Sequence, residues 1–183
     1  TVMYDNIQKL TDLLGLARIK KNSNDLSECL SASTIYTGAL DFLVIQSAKL
    51  LQQIVAKEKL ENNEAPNFKT YGDQWFYDNK IYTRRILKEI KKFMPFSDKN
   101  NPEISDELNK VIKSFLNSAH AFLDNRNKII HGIGNPRHSL EDIISFCKES
   151  FSLYEDFEEK HRIMSLKLSP YSLTQEQRKI MYD

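Results

Sequence analysis

A chain of 183 residues with 40% apolar and 28% charged side chains has enough material for one sizeable core, which excludes a disordered or fibrous protein. Lys and Arg number 26 against 25 Asp and Glu, so the net charge of +1 excludes attachment to nucleic acid by bulk positive charge, though not a small basic site. Five Gly and five Pro are few, and most fall in residues 62–102 or 132–136, leaving long stretches free to be helical.

The first predicted helix covers about residues 4–20, where Ile7, Leu10, Leu13, Leu14 and Ala17 repeat at helical spacing behind a capping Asp5. A polar break at Asn22–Asp25 leads into a long second helix, about 26–60, whose Phe42–Ile45 stretch is apolar all round and reads as buried on more than one side. Ser31, Ser33, Thr34, Thr37 and Gly38 in its first half are small and poor helix formers. They suit a close crossing with another helix, a dimer contact or a simple bend. Residues 61–73 read as a loop with Pro66 and Gly72, and a third helix over about 74–93 ends before Pro95. After a second loop, 95–104, a fourth helix opens at Ser105 and carries Leu108, Val111, Ile112, Phe115, Leu116, Ala119, Phe122 and Leu123 in register. It either continues to His131 or breaks near Asp124 and Asn125, and Gly132, Gly134 and Pro136 stop it. A fifth helix starts at Ser139, with Asp142 completing a capping box, and its stripe of Ile143, Cys147, Phe151, Tyr154 and Phe157 runs to about Met164. A weaker helical pattern follows from Thr174. No strand or hairpin pattern is present, so the expected class is all-α, a bundle of four to five main helices spanning 1–165, with 166–183 a tail or the start of a further helix. Cys29 and Cys147 lie within apolar helical patterns and read as buried free thiols of a reducing cytoplasm. No uninterrupted apolar run approaches the roughly 18 residues that span a bilayer.

One segment carries a chemical signal. Residues 124–132 read Asp, Asn, Arg, Asn, Lys, Ile, Ile, His, Gly, which puts a permanent cation, a carboxamide and an imidazole within two helical turns. Asn127 and His131, four apart, share a face. Arg126 and His131 lie about 140° apart around the axis, so the guanidinium meets the imidazole only if the long Arg stem bends toward it. A guanidinium matches phosphate oxygens and stays charged, while an imidazole exchanges protons near neutral pH; together they suit metal-free cleavage of RNA. A His near a helix end also has a purely structural use, as a favourable partner of the helix dipole.

The run of Arg126, Asn127, three residues, His131 and Gly132 at the end of a late amphipathic helix resembles the signature of the HEPN superfamily, in which Arg is followed after four to six residues by His. The helical layout is similar to that family over about residues 4–164. The resemblance implies a helical bundle that dimerises and brings two copies of the motif to one cleft. It also implies a metal-independent endoribonuclease of toxin–antitoxin, antiphage or RNA-processing systems that leaves a cyclic phosphate and a 5′ hydroxyl. Carried over, Arg126 stabilises the phosphate, His131 is the acid/base and Asn127 positions one of them or the RNA. Some members place an acidic residue in the second helix facing the motif; Asp41 stands in a similar setting, either paired with Arg126 or on the polar side of its helix. Where toxins controlled by a nucleotidyltransferase often have Tyr two places after the His, this chain has Ile133, so control by modification of that position is not expected.

The expected partners are an RNA substrate, a second copy of the chain and an antitoxin or larger defence assembly in the cytoplasm, with no membrane, cofactor or metal. A non-catalytic module of the same fold that binds RNA or nucleotide or mediates assembly is the alternative, and a plain helical interaction domain in which the motif is accidental is a third reading. His120, His138 and His161 form no metal-ligand spacing with the cysteines, and His138 with Arg137, after the glycine stop, reads as a solvated loop in preference to a contact with RNA near the cleft. The basic run Arg84, Arg85, Lys88, Lys91 and Lys92 reads as the wet face of the third helix or as a surface that steers RNA, and Trp75, Phe76, Tyr77 and Tyr82 as aromatics that pack in a core or interface or stack on bases.

Overall fold

A computed structural model describes residues 2–64, 82–98 and 101–182; for 2–6 and 180–182 only the backbone is described. The described residues are helical, without strands: α1 (Val2–Lys20), α2 (Leu26–Glu61), α3 (Thr83–Lys91), α4 (Pro102–Ile133), α5 (Leu140–Leu168), a 3-10 turn over Ser169–Tyr171, and α6 (Gln175–Tyr182). The expected all-α bundle is what forms. The loop expected beyond residue 64, the part of the third helix expected over 74–81, and Trp75, Phe76 and Tyr77 lie outside the described residues.

Local chemistry sets the helix ends. Asp25 caps α2 through its carboxylate, which accepts from the Glu28 N–H at 3.1 Å. The far end closes with Asn63 at φ 57°, where the Glu64 N–H reaches Lys59 O at 2.8 Å and the Asn63 N–H reaches Leu60 O at 3.2 Å. The start of α4 lies three residues before the expected Ser105. Asn101 caps it by accepting from the Ile104 N–H at 3.3 Å, and Pro102 takes the first helical position, where its missing N–H costs nothing. Ser105 is buried inside the first turn and accepts from the Asp98 N–H at 2.6 Å. The box at the start of α5 is as expected: Ser139 N–H to Asp142 Oδ2 at 2.9 Å, Asp142 N–H to Ser139 Oγ at 3.1 Å. Thr174 and Gln177 repeat the device at α6.

Two compact units divide the chain. The first comprises residues 1–42 and 117–159 and the second residues 43–116 and 160–183. Unit one buries Ala17, Cys29, Tyr36, Leu40, Phe122, Cys147, Tyr154 and Phe157. Tyr36 and Tyr154 stack with centroids 4.6 Å apart, and Arg18 on α1 and Lys21 just past its end pair with Glu158 and Glu155 on α5. Both cysteines are free and buried, and burial pushes the Cys147 thiol up to about 11. Unit two buries Val44, Ile45, Leu51, Ile86, Leu87, Ile90, Leu108, Ile112 and Phe115. There Asn109 clamps the backbone of Phe96, accepting its N–H at 2.7 Å and donating to its carbonyl at 2.8 Å. The close approach sketched for the small residues of α2 does not occur at Gly38, where a Cβ would meet nothing within 4 Å. Helix α2 is long, and over an 18-residue window apolar enough on average (mean hydropathy 1.2), to cross a membrane, but half of that window is buried within the fold, as in a core helix of a water-soluble bundle.

Candidate active site at the end of α4

The helix that carries the motif does not break at Asp124 or Asn125. It continues through Ile133, one residue beyond the glycine that the sequence marks as its stop. Asn125 faces inward at 2% exposure, and its amide donates to Phe146 O at 2.8 Å and to Ser150 Oγ at 2.6 Å, tying α4 to α5. Gly132 is buried and helical, without a positive φ. A Cβ there would lie 2.7 Å from Ile143 Cδ1 and 3.6 Å from Phe146 Cε2. Its role is therefore to let α5 come close, and the chain turns at Gly134 instead. With Asn125, Ile129 and Gly132 turned to α5, the remaining positions divide onto two outer faces.

The first outer face is polar. Asp124, Asn127, Lys128 and His131, at positions i, i+3, i+4 and i+7, line a cleft of about 480 Å³ together with Gly132, Asn135, His138 and Phe146. Asn127 is half-buried and His131 exposed. The predicted pairing of these two residues on one face is thus what the fold produces. The cleft volume falls within the range of about 300–1,000 Å³ that small-molecule sites occupy.

The second outer face holds Arg126, Ile130 and Ile133, at spacings of four and three, in line with the buried Phe122 and Ala119 one and two turns earlier. Arg126 therefore stands where the apolar stripe leaves the core. Its Nε is buried with no hydrogen-bond partner among the described residues, while Ile130 and Ile133 are 55% and 64% exposed. Arg126 does not line the cleft, so its stem does not bring the guanidinium round to His131 within one protomer. Asp41 is half-buried on α2 and takes part in an interaction of its own.

The cleft contains two residues that the sequence pattern passed over. Lys128 shares the face of Asp124 and His131, a relation visible in the spacing once the helix is known to be unbroken. His138 lines it through the loop after α4, which the sequence left as solvated. No family model, curated protein or solved structure matches the chain.

Proposed function

We propose that the chain is a metal-independent endoribonuclease of HEPN type, working in the cytoplasm in toxin–antitoxin or antiphage defence, with each site divided between two copies of the chain. What carries the reading is the end of α4: an Asn and a His open onto one cleft, and an Arg lies on another face of the same two turns beside uncovered isoleucines. Around the axis, Arg126 and His131 stand about 140° apart, too far to grip one phosphodiester from a single helix. A second protomer removes the difficulty. Exposed Ile130, Ile133 and Leu140 supply apolar surface for a twofold contact, and a guanidinium from one copy meets the cleft of the other.

In that assembly His131 exchanges protons with the ribose hydroxyl or the leaving oxygen, Asn127 positions the phosphate by its amide, and Arg126 stabilises the charge that builds on the phosphorane. The products are a 2′,3′-cyclic phosphate and a 5′ hydroxyl. An antitoxin or larger defence assembly is the natural regulator of such an activity. The position of Arg126 outside the cleft of its own protomer also favours a second reading, a module of the same fold that binds RNA or nucleotide without cutting it.

The test uses purified protein and total RNA in EDTA. Wild type cuts, and Arg126→Ala and His131→Ala each abolish cutting. An equal mixture of the two variants regains about a quarter of wild-type activity, because half the dimers are mixed and each mixed dimer holds one intact composite site. No recovery on mixing removes the shared site. Binding without cutting by wild type leaves the second reading, and a protein that neither binds nor cuts RNA removes both.

A further inference from the structure

His138 is the one group in the cleft that sequence reasoning dismissed and that the fold has placed with care. The loop leading to it is closed by three hydrogen bonds: Asn135 N–H to Gly132 O at 3.2 Å, His138 N–H to Asn135 O at 3.1 Å, and Arg137 N–H to Asn135 Oδ1 at 3.0 Å. The ring stands edge-on to Phe146, centroids 5.3 Å apart and planes at 78°. Its Nδ1 is 3.6 Å from Asp142 Oδ2, an ion-pair separation longer than a hydrogen bond. Its Cδ2 lies 3.8 Å from where a Cβ on Gly132 would be, so the ring stands close to the backbone that follows His131. Asp142 is itself fixed by the Ser139 box; the Ser139 backbone N–H, then its hydroxyl and nearby His138, hold the Asp142 carboxyl below the ordinary carboxylate range.

We infer that His138, oriented by Asp142 and Phe146, is a second acid/base residue of this cleft and works opposite His131 on an RNA phosphodiester. The inference rests on the ribonuclease reading above and adds to it a second imidazole. Cleavage needs a proton removed from one oxygen and delivered to another. The Asp142 carboxylate, 3.6 Å from Nδ1 here, tightens on that N–H when substrate binds; Nε2 then presents a lone pair, and His138 takes the proton of the 2′ hydroxyl. The 2′ oxygen forms its bond to phosphorus, the bond from phosphorus to the 5′ oxygen breaks, and the His131 imidazolium delivers a proton to that departing oxygen. One proton is taken up and one released, the cyclic phosphate and the 5′ hydroxyl account for every atom, and exchange with water restores both rings. Asp142 touches no substrate and acts as a positioning residue. The charged and titratable groups lining the cleft with His138 are Asp124, Lys128 and His131 from α4, with Asp142 beside its ring from α5.

The experiment measures EDTA-resistant cleavage of a short oligoribonucleotide across pH 5–9 by wild type, His131→Ala, His138→Gln and Asp142→Asn. With His138→Gln, kcat falls about 100- to 1,000-fold with little change in KM, and one limb of the pH–rate profile disappears. Asp142→Asn, which keeps a capping side chain, lowers kcat about tenfold and shifts that same limb. Proton NMR of the wild-type chain with uridine 3′-phosphate gives a reading free of any folding defect in the variants: the Cε1–H signals of His131 and His138 both move. Wild type that cuts while His138→Gln keeps its rate and its pH profile overturns the inference and leaves the ribonuclease reading intact, as does a nucleotide that moves the His131 signal alone. Wild type that fails to cut overturns the ribonuclease reading and the inference with it.

Discussion

The two units bury different chemistry. Unit two is filled with Val, Ile and Leu, and its buried serines sit in helix or cap positions; Ser47 donates to Leu43 O at 2.8 Å and Ser105 accepts from the Asp98 N–H. Unit one buries Tyr36, Asn125, Tyr154 and part of Arg126. Among the described residues, the buried side-chain polar atoms without a partner are Tyr36 Oη, Asn125 Oδ1, Arg126 Nε and Tyr154 Oη, all in unit one. Leaving a buried polar atom unsatisfied costs roughly 1–3 kcal/mol. Among the described residues this cost falls in the unit that also holds the cleft, which is where departures from full polar satisfaction are expected when a site is present.

That contrast can be broken by measurement. The largest effect is expected in unit two, where Ile112 is fully buried: Ile112→Ala should cost about 3–4 kcal/mol in urea unfolding, through lost burial and the cavity left behind. A loss under about 1 kcal/mol would mean that this core is loosely packed and the contrast is empty.

His161 tests the same unit by pH. It packs beside Phe115, centroids 6.1 Å apart, and burial lowers its imidazole from 6.5 to about 4. The unfolded chain therefore binds a proton that the folded chain refuses between those values. Stability falls as pH drops from 6.5 toward 4 and levels off below, by roughly 3 kcal/mol at most. His161→Leu should flatten that stretch of the stability curve; an unchanged slope would show that His161 accepts its proton in the folded state.

The smallest effect belongs to unit one. Burial, with Glu158 nearby, drives the Tyr154 hydroxyl far above its ordinary ionisation range, and no group among the described residues meets that oxygen with good hydrogen-bond geometry, so Tyr154→Phe should change stability by less than about 1 kcal/mol. A loss of about 2 kcal/mol would reveal a bridging water and put unit one on the same footing as its neighbour.

How much of this was legible in the sequence depends on range. Periodicity places α1 and α2 closely, and local caps fix the starts of α2 and α5, because an Asp or Ser beside the N–H groups it binds is a contact within three residues; α1 instead begins at Val2, with the expected cap Asp5 inside the helix. The start of α4 was missed although Asn101 followed by Pro102 is itself a start signal; Ser105 drew attention as a cap when its hydroxyl instead serves a buried turn. Gly132 was read as a stop from its propensity, and its actual use, clearance for Ile143, depends on a helix that comes later in the chain. At the site, the face shared by Asn127 and His131 follows from a spacing of four. Arg126 stays off that face because it lies in line with Ala119 and Phe122, a stripe that becomes clear only when the helix is known to run unbroken. His138 was passed over because a loop has no period, and its orientation comes from Phe146 and Asp142 on another element.

The splitting of Arg126 and His131 between separate faces of α4 has a kinetic consequence on the proposed reading. An enzyme complete in each copy loses rate in proportion to dilution, whereas one assembled from two copies loses it as the square once dissociation sets in. Synthesis level alone would then act as a throttle, holding a few scattered molecules silent and arming them together when the gene is strongly expressed.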